Sequence, residues 1–273
     1  MTSQPGSAVV STELVRYSQK EKGTRRTDRL AAEEPLELRV RGRGIAVTMR
    51  TPGNDEELAA GFLLSEGIIR KRSDIVAMRP CFQSDAPENT LNIFLAPGVK
   101  VNFKHLTRHV FASSSCGLCG KASIEAVRQQ FPEIVSGLKV RVGVLEQITH
   151  SMRQAQVTFN ATGGLHAAAA FEADGRLLVL REDIGRHNAV DKVIGHGLLQ
   201  GKLPFASHLL LVSGRASFEI MQKALAARIP IVCSVSAPSS LAVEFARDSG
   251  QSLIGFLRER SLNVYAGTER ISQ

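Results

Sequence analysis

The alternation of buried-strand and helical patterns in the C-terminal third is the feature that most constrains the fold of this chain. Short apolar runs alternate with segments of helical periodicity. The runs are residues 209–212, 231–235 and 253–256, and the helical segments are residues 188–199, 218–227 and 241–248. Strands that are buried on both faces and alternate with helices are typical of a sheet with parallel neighbours covered by helices. We therefore expect an α/β domain with a mixed sheet, entered through a hairpin around Asp174-Gly175.

The N-terminal part predicts a smaller α+β module. Four strands are predicted, over residues 36–41, 45–50, 75–81 and 90–95. Asn54 is predicted to cap the helix between them, with Glu57 completing a capping box and Gly67 ending the helix. Three regions are predicted. They are a flexible basic arm over residues 1–30, the small α+β module over residues 31–105, which can be discontinuous in sequence, and the larger α/β domain with the paired cysteines over residues 106–273.

Composition narrows the classes of partner. The net charge of +8 suits an anionic partner, but the chain has no tryptophan and only 5% aromatic residues, so stacking platforms for nucleic acid are scarce. The basic run over residues 20–29 is more typical of a solvated arm than of a nucleic-acid site. Apolar stretches are too short to cross a bilayer, and residues 1–12 lack a signal-peptide pattern. We expect a soluble cytoplasmic protein without nucleic-acid or membrane partners.

Cys116 and Cys119 are the strongest chemical signal. They precede a helix-like segment, so the helix dipole and Lys121 favour the thiolate form. Three interpretations remain open: a thioredoxin-like redox pair, a zinc site completed by histidines, and a persulfide carrier in which one thiolate accepts sulfur and the other resolves it. The isolated Cys81 and Cys233 disfavour a four-cysteine zinc site. Cys116, the outer residue of the pair, is the expected persulfide carrier.

Two strand-to-helix junctions predict a phosphate-bearing ligand. Residues 213–217 contain Ser213 and Arg215, and residues 236–240 are again small and hydroxylic. Helix N-termini bind phosphate through free N–H groups, and an arginine adds a bidentate fork. The stretch of residues 181–188, which includes His187, contains more charged and polar side chains than an ordinary loop requires. It is therefore also expected at the site. His166 is a weaker candidate.

Six stretches of this chain match the motifs of one known family in order. They are residues 51–58 with 61–67, 114–121, 162–168, 181–191, 211–218 and 235–243. On these residues the chain resembles the FdhD family of formate dehydrogenase accessory sulfurtransferases. Only residues 1–30 fall outside the resemblance.

The resemblance implies a function and a set of partners. Such a protein is expected to take sulfur from a cysteine desulfurase of the IscS type. It would pass that sulfur to the molybdenum of the bis(molybdopterin guanine dinucleotide) cofactor before the cofactor enters the formate dehydrogenase catalytic subunit. The cofactor is bound as a substrate that GDP mimics, and neither a resident cofactor nor a metal is expected. The family also implies a homodimer and a cytidine-deaminase-like α/β/α domain.

The resemblance assigns the persulfide to the Cys116/Cys119 pair and cofactor contacts to the C-terminal segment. Those contacts are Phe256, Leu257, Arg258, Glu259, Arg260, Ser261, Asn263 and Tyr265. The family often has Phe-Asn-Val-Tyr-Thr where this chain has Leu262 to Ala266. Deaminase chemistry is not expected, because neither His166 nor His187 begins an H-x-E motif. The alternatives are a chaperone that binds and delivers the cofactor without sulfur chemistry, and a dithiol oxidoreductase.

Overall fold

The computed structural model describes residues 6–19, 21–103 and 130–273. The strands in these ranges are β1 Val9–Ser18, β2 Glu21–Ala31, β3 Glu34–Val40, β4 Arg43–Arg50, β5 Ile75–Pro80, β6 Thr90–Leu95, β7 Val140–Arg141, β8 His166–Glu172, β9 Leu177–Asp183, β10 His208–Val212, β11 Ile231–Ser234, β12 Ser252–Arg258, β13 Ser261–Ala266 and β14 Ile271–Ser272. The α-helices are α1 Asp55–Ser65, α2 Val142–Ala155, α3 Val157–Thr162, α4 Arg186–Leu199, α5 Phe218–Ala226 and α6 Ser240–Asp248.

A six-stranded mixed sheet forms the centre, in the order β13-β12-β11-β10-β8-β9. The strands β10, β11 and β12 are parallel, and the other pairs are antiparallel. Helices α1, α4, α5 and α6 pack on one face against alternate strand residues such as Leu210 and Val232, whereas α2 packs on the other face against Leu209 and Ile231. This arrangement confirms the predicted α/β class with helices on both faces of a mixed sheet.

The N-terminal module is a four-stranded sheet, β4-β3-β6-β5, whose core is continuous with that of the larger domain. Helix α1 of this module lies against α4, and two glycines bring their backbones into contact. A Cβ atom at Gly61 would lie 1.9 Å from the Asp191 carbonyl oxygen, and one at Gly195 would lie 1.8 Å from the Glu57 carbonyl oxygen. Only glycine allows that approach, so these two positions set how the two sheets join.

Strands β1 and β2 pair antiparallel, where the sequence predicted no regular structure. Half-buried Val10, Thr12 and Leu14 alternate with exposed neighbours along β1. The period-two pattern lies in β1, whereas the prediction rested on the basic run, which falls mostly in β2. Helix α2 was also missed, although Val144, Leu145, Ile148 and Met152 give it a buried stripe.

The helix after Asn54 was predicted correctly, but its capping was not. Asn54 has a left-handed backbone (φ 58°) and makes no side-chain cap bond. Glu57 instead bonds Arg181 across the interface between the two sheets. No helix in the part of the chain that the structure describes is long and apolar enough to cross a membrane.

Candidate functional site at one edge of the central sheet

Most of the predicted site residues that the structure describes lie along one edge of the central sheet. The carboxyl ends of the parallel strands β10, β11 and β12 lie at this edge. Antiparallel β8 begins there, and β9 ends there. Residues 213–217 and 235–239 therefore form neighbouring loops near His166 and the start of α4, and the turn between β12 and β13 lies at the far end of this edge. Ligands of open α/β sheets bind at such an edge.

The first two loops are bonded to each other. Ser239 N donates to Ala216 O at 2.9 Å, and Ser234 Oγ donates to Gly214 O at 2.8 Å. Ser213 is tied to β8, because its hydroxyl oxygen accepts from Ala167 N at 2.9 Å. The edge is thus a fixed backbone frame, from which the exposed Arg215 side chain projects.

His187, on the first turn of α4, faces the start of α5. Its Nε2 lies 2.8 Å from Glu219 Oε2 and 3.3 Å from Ser217 Oγ. The hydrogen bond with His187 holds the pKa of the Glu219 carboxyl below its ordinary value, against the opposing effect of burial. Ser217 makes no side-chain cap bond for α5, in contrast to Ser239, which accepts from Ala242 N at the start of α6. The contact aligns the imidazole with the free N-terminus of α5.

Arg186, His166 and Gly214 form an electropositive corner beside that histidine. Arg186 Nε is buried and has no hydrogen-bond partner in the described ranges. A Cβ atom at Gly214 would lie 3.3 Å from His166 Nδ1 and 3.6 Å from Arg186 Cδ, so the loop backbone lies against both side chains. Burial and the positive charges of Arg186 and His187 lower the pKa of His166. An unpaired arginine beside a neutral imidazole is suited to hold an anion.

The C-terminal segment occupies the far end of the same edge. Phe256 is 41% exposed with φ 51°, and the Arg258 guanidinium donates to Val235 O. The side chains of Glu259, Arg260, Ser261 and Asn263 are exposed, and Tyr265 is half-buried. Leu257 differs from the rest, because its side chain is 1% exposed and packs in the core below the sheet. Leu262 and Ala266, which depart from the family pattern, also have packing roles.

Most of the polar stretch 181–188 holds the fold together. Asp183 is fully buried. Its Oδ2 lies 2.7 Å from Lys192 Nζ and accepts from Thr51 N at 3.2 Å, and its Oδ1 accepts from Asn188 Nδ2 at 2.9 Å. These bonds tie β9 and α4 to the end of β4. Within this stretch, Arg186 and His187 contact residues at the sheet edge. The sequence pattern did not distinguish these two residues from the ones that stabilise the fold.

Cys116 and Cys119, the pair that the sequence predicts to be catalytic, lie outside the described residues. Of the other two cysteines, Cys233 is buried in the core, where burial strongly raises the pKa of its thiol. Cys81 is buried in the small module, with Sγ 3.8 Å from Arg39 Nη1. Within residues 6–19, 21–103 and 130–273, no three His, Cys, Asp or Glu side chains are placed to hold a metal ion.

A cleft of about 590 Å³ opens beside His166, the weaker of the candidates that the sequence indicated. Arg153, Gln156 and Phe159 line its outer wall, and Ser213 lies on the sheet side. These residues belong to α2, α3 and the junction between them. The apolar stripe of α2 is visible in the sequence, but no local pattern shows that its end faces the sheet edge.

The comparisons with known proteins cover nearly the whole chain. The sequence model of the FdhD/NarQ family matches residues 31–272. The sulfur carrier protein FdhD of Mycolicibacterium paratuberculosis is 52% identical over 90% of this chain and 93% of its own length. The sulfur carrier protein FdhD of Saccharolobus solfataricus is 42% identical over 90% and 91%. A crystal structure assigned to a formate dehydrogenase accessory protein of Desulfotalea psychrophila has the same fold, with a TM-score of 0.78 and 24% identity over 97% of this chain and 100% of that one.

Proposed function

The chain belongs to the FdhD/NarQ family, and from that premise we propose that it is a sulfur carrier for the maturation of formate dehydrogenase. In the proposed reaction it takes sulfur from a cysteine desulfurase of the IscS type as a persulfide on Cys116. It then transfers this sulfur to molybdenum-bis(molybdopterin guanine dinucleotide), which goes on to the formate dehydrogenase catalytic subunit. The chain acts as a homodimer in this proposal.

One observation carries the proposal. Relatives called sulfur carrier protein FdhD share 52% and 50% of their residues with this chain over 90% of its length, and the chain supplies the paired thiols such chemistry needs, at Cys116 and Cys119. A thiolate attacks the outer sulfur of the donor persulfide, the donor S–S bond breaks, and the donor leaves as a thiolate. The sulfur atom changes carrier without an external oxidant or reductant.

The sheet edge supports binding of the cofactor as substrate. Arg186, Arg215 and Arg258 present positive charge at or beside three consecutive loops, which suits the diphosphates of a dinucleotide. The distance across the edge from β8 to β12 is three strand spacings, about 14 Å. An extended anionic ligand therefore meets several of these groups at once.

Mass spectrometry after incubation with a cysteine desulfurase and cysteine tests the proposal. We expect one added sulfur atom on the peptide that contains Cys116, lost in Cys116→Ser and partly retained in Cys119→Ser. Cys116→Ala and Cys119→Ala are each expected to abolish formate dehydrogenase maturation, with Cys81→Ala as the control. An unmodified wild-type chain that still binds and delivers the cofactor would favour the non-catalytic chaperone. Sulfur located on Cys119 would reverse the assignment within the pair.

A further inference from the structure

A groove with a basic rim lies at the end of α4 that is opposite the sheet edge. Its volume is about 220 Å³, and its apolar wall includes Leu64 of α1, Leu198 of α4 and Ala226 of α5. Helix α4 has 14 residues and rises about 1.5 Å per residue, so its two ends are about 20 Å apart. A molecule bound in this groove therefore leaves the sheet edge free.

The size of the groove favours a side chain of another protein over a small molecule. Pockets for small molecules usually have volumes of about 300–1,000 Å³. The groove is smaller, at about 220 Å³, and its apolar wall suits one large apolar side chain. Burial of such a side chain tightens binding by about tenfold or more.

The rim of the groove carries four positively charged side chains, Arg70, Lys71, Arg72 and Arg228. Within the part of the chain that the structure describes, none of them forms an ion pair with a carboxylate. Arg72 and Arg228 donate to backbone carbonyls of nearby residues, so they also hold the local fold. Arg70 and Lys71 are exposed, and Asp74 bonds their backbone N–H groups at 2.8 and 3.2 Å.

Capping of the surrounding helices does not account for this positive charge. Basic side chains near a helix C-terminus often bond its last carbonyl groups. Here Leu64 O accepts from Gly67 N at 2.9 Å, Leu198 O accepts from Gly201 N at 3.2 Å, and α5 ends in the same way. The charges of Arg70 and Lys71 are therefore available to an external anion.

The groove also lies near the point where the chain returns from the paired cysteines. Gln130, which follows Cys119 in the chain, donates from Nε2 to Glu66 O at 3.3 Å, directly after the end of α1. The Arg228 guanidinium donates to the carbonyls of residues 132 and 133. A protein held in the groove is thus beside the chain that leads to the cysteines.

We propose that this groove binds the protein that donates sulfur, through an acidic segment of that protein that carries one apolar side chain. The inference rests on the proposed function, in which the donor is a cysteine desulfurase and the cofactor occupies the sheet edge. The apolar side chain enters between Leu198 and Ala226, and the carboxylates of the segment face Arg70 and Lys71. Donor and cofactor then bind at opposite ends of α4 without excluding each other.

Charge reversal on the rim tests the binding surface. The variant is Arg70→Glu with Lys71→Glu. The matched control is Arg25→Glu with Arg26→Glu, which makes the same change in net charge on the exposed strand β2. We expect the rim variant to weaken binding of the desulfurase to the full chain by about tenfold at low salt, and the control to change it by less than about twofold. Equal binding of the rim variant and the wild type, or an equal loss in the control, would overturn the proposal.

Ala226→Leu tests the apolar part of the groove without changing its charge. Ala226 is the half-buried last residue of α5, and a larger side chain there fills the space assigned to the partner. We expect this variant to weaken desulfurase binding by about tenfold. Ala155→Leu is the matched control, because Ala155 is the half-buried last residue of α2 and lies outside the groove. Unchanged binding in Ala226→Leu would overturn the assignment of the groove.

Sulfur loading separates this inference from the proposed function. The rim variant is expected to raise the KM for the desulfurase in persulfide formation more than it lowers the rate at saturating desulfurase. A wild-type chain that loads sulfur with the same KM as the rim variant would refute the binding surface and leave the carrier function intact. A wild-type chain that binds the desulfurase through the rim but gains no sulfur would refute the carrier function instead.

Discussion

Single residues near the sheet edge divide into those that secure the fold and those that remain available to a ligand. Asp183 and Glu57 each accept from several donors, and their partners lie on other elements. Arg186 Nε, by contrast, is buried and has no hydrogen-bond partner in the described ranges. Buried polar groups are normally satisfied, so the unsatisfied ones point to function and the satisfied ones to stability.

The Glu57 carboxylate predicts an acid-sensitive contribution to stability. Burial raises the pKa of Glu57, but hydrogen bonds from Arg181 and His196 lower it, and the net pKa lies below the ordinary value of 4.5. A lowered folded-state pKa stabilises the fold at pH values above 4.5, and this stability is lost as the pH falls through the folded pKa. Glu57→Gln is therefore expected to lower the free energy of unfolding by about 1–3 kcal/mol at neutral pH.

Urea unfolding at pH 7 and pH 3 tests this prediction. We expect the gap between wild type and Glu57→Gln to shrink at the lower pH, because protonation of Glu57 removes the stabilising charge as the pH falls toward its lowered pKa. Glu56→Gln on the same turn of α1 is the control, because Glu56 is exposed and should change stability little. A gap that stays constant between the two pH values would contradict the ionic role of Glu57.

Sequence patterns placed the predicted site residues on the right elements but did not predict their geometry. The hydroxylic junctions with Ser213 and Arg215 were placed correctly at strand ends, because apolar runs and capping residues are local signals. The partners of Glu57 were predicted wrongly, since a capping box and a long-range ion pair both place a glutamate in the first helical turn. No local sequence pattern predicts that Gln156 lines a cleft, because the cleft forms between residues far apart in the chain.

At the scale of elements, the contact between α1 and α4 joins the small sheet to the large one. The backbones of the two helices touch at Gly61 and Gly195. Sequence periodicity predicted both helices but could not predict their mutual approach, because the contact is between residues far apart in the chain. The hairpin β1–β2 was likewise missed, since its pairing needs both strands to be considered together.

Gly195→Ala is expected to be strongly destabilising. The added methyl group would lie 1.8 Å from the Glu57 carbonyl oxygen, and a helix backbone cannot give way as a flexible side chain does. Overpacking costs about 1–3 kcal/mol or more. Gly143→Ala in α2 is the matched control, since nothing lies within 4 Å of its added Cβ, and it should stabilise by about 0.5–1 kcal/mol. Equal thermal midpoints for the two variants would contradict the close contact.

At the scale of the whole molecule, the central sheet places the cleft beside His166 and several arginines along one edge. The cleft with Gln156 lies at the β8 end, Arg186 and Arg215 follow, and Phe256 with Arg258 lies at the β12 end. The helices on both faces leave this edge accessible. The positive charges along this edge suit the extended anionic substrate that we propose, which supports a single extended binding surface.

GDP is expected to stabilise the protein through this edge, because a ligand that binds only the folded state shifts unfolding by mass action. At a GDP concentration near 100 times Kd the gain is about 2.7 kcal/mol. For a chain of this size, that gain corresponds to a rise in thermal midpoint of about 5–10 °C.

Arg215→Ala removes one charge-assisted bond to phosphate, worth roughly 1.5–3 kcal/mol, so the midpoint shift should fall to about half or less. Arg25→Ala is the control, because it removes the same charge from the exposed hairpin, away from the sheet edge. Equal GDP-induced midpoint shifts in wild type and Arg215→Ala would remove Arg215 from the site. If Arg25→Ala reduced the shift as much as Arg215→Ala does, the attraction would be nonspecific. No shift in the wild type would contradict the nucleotide site itself.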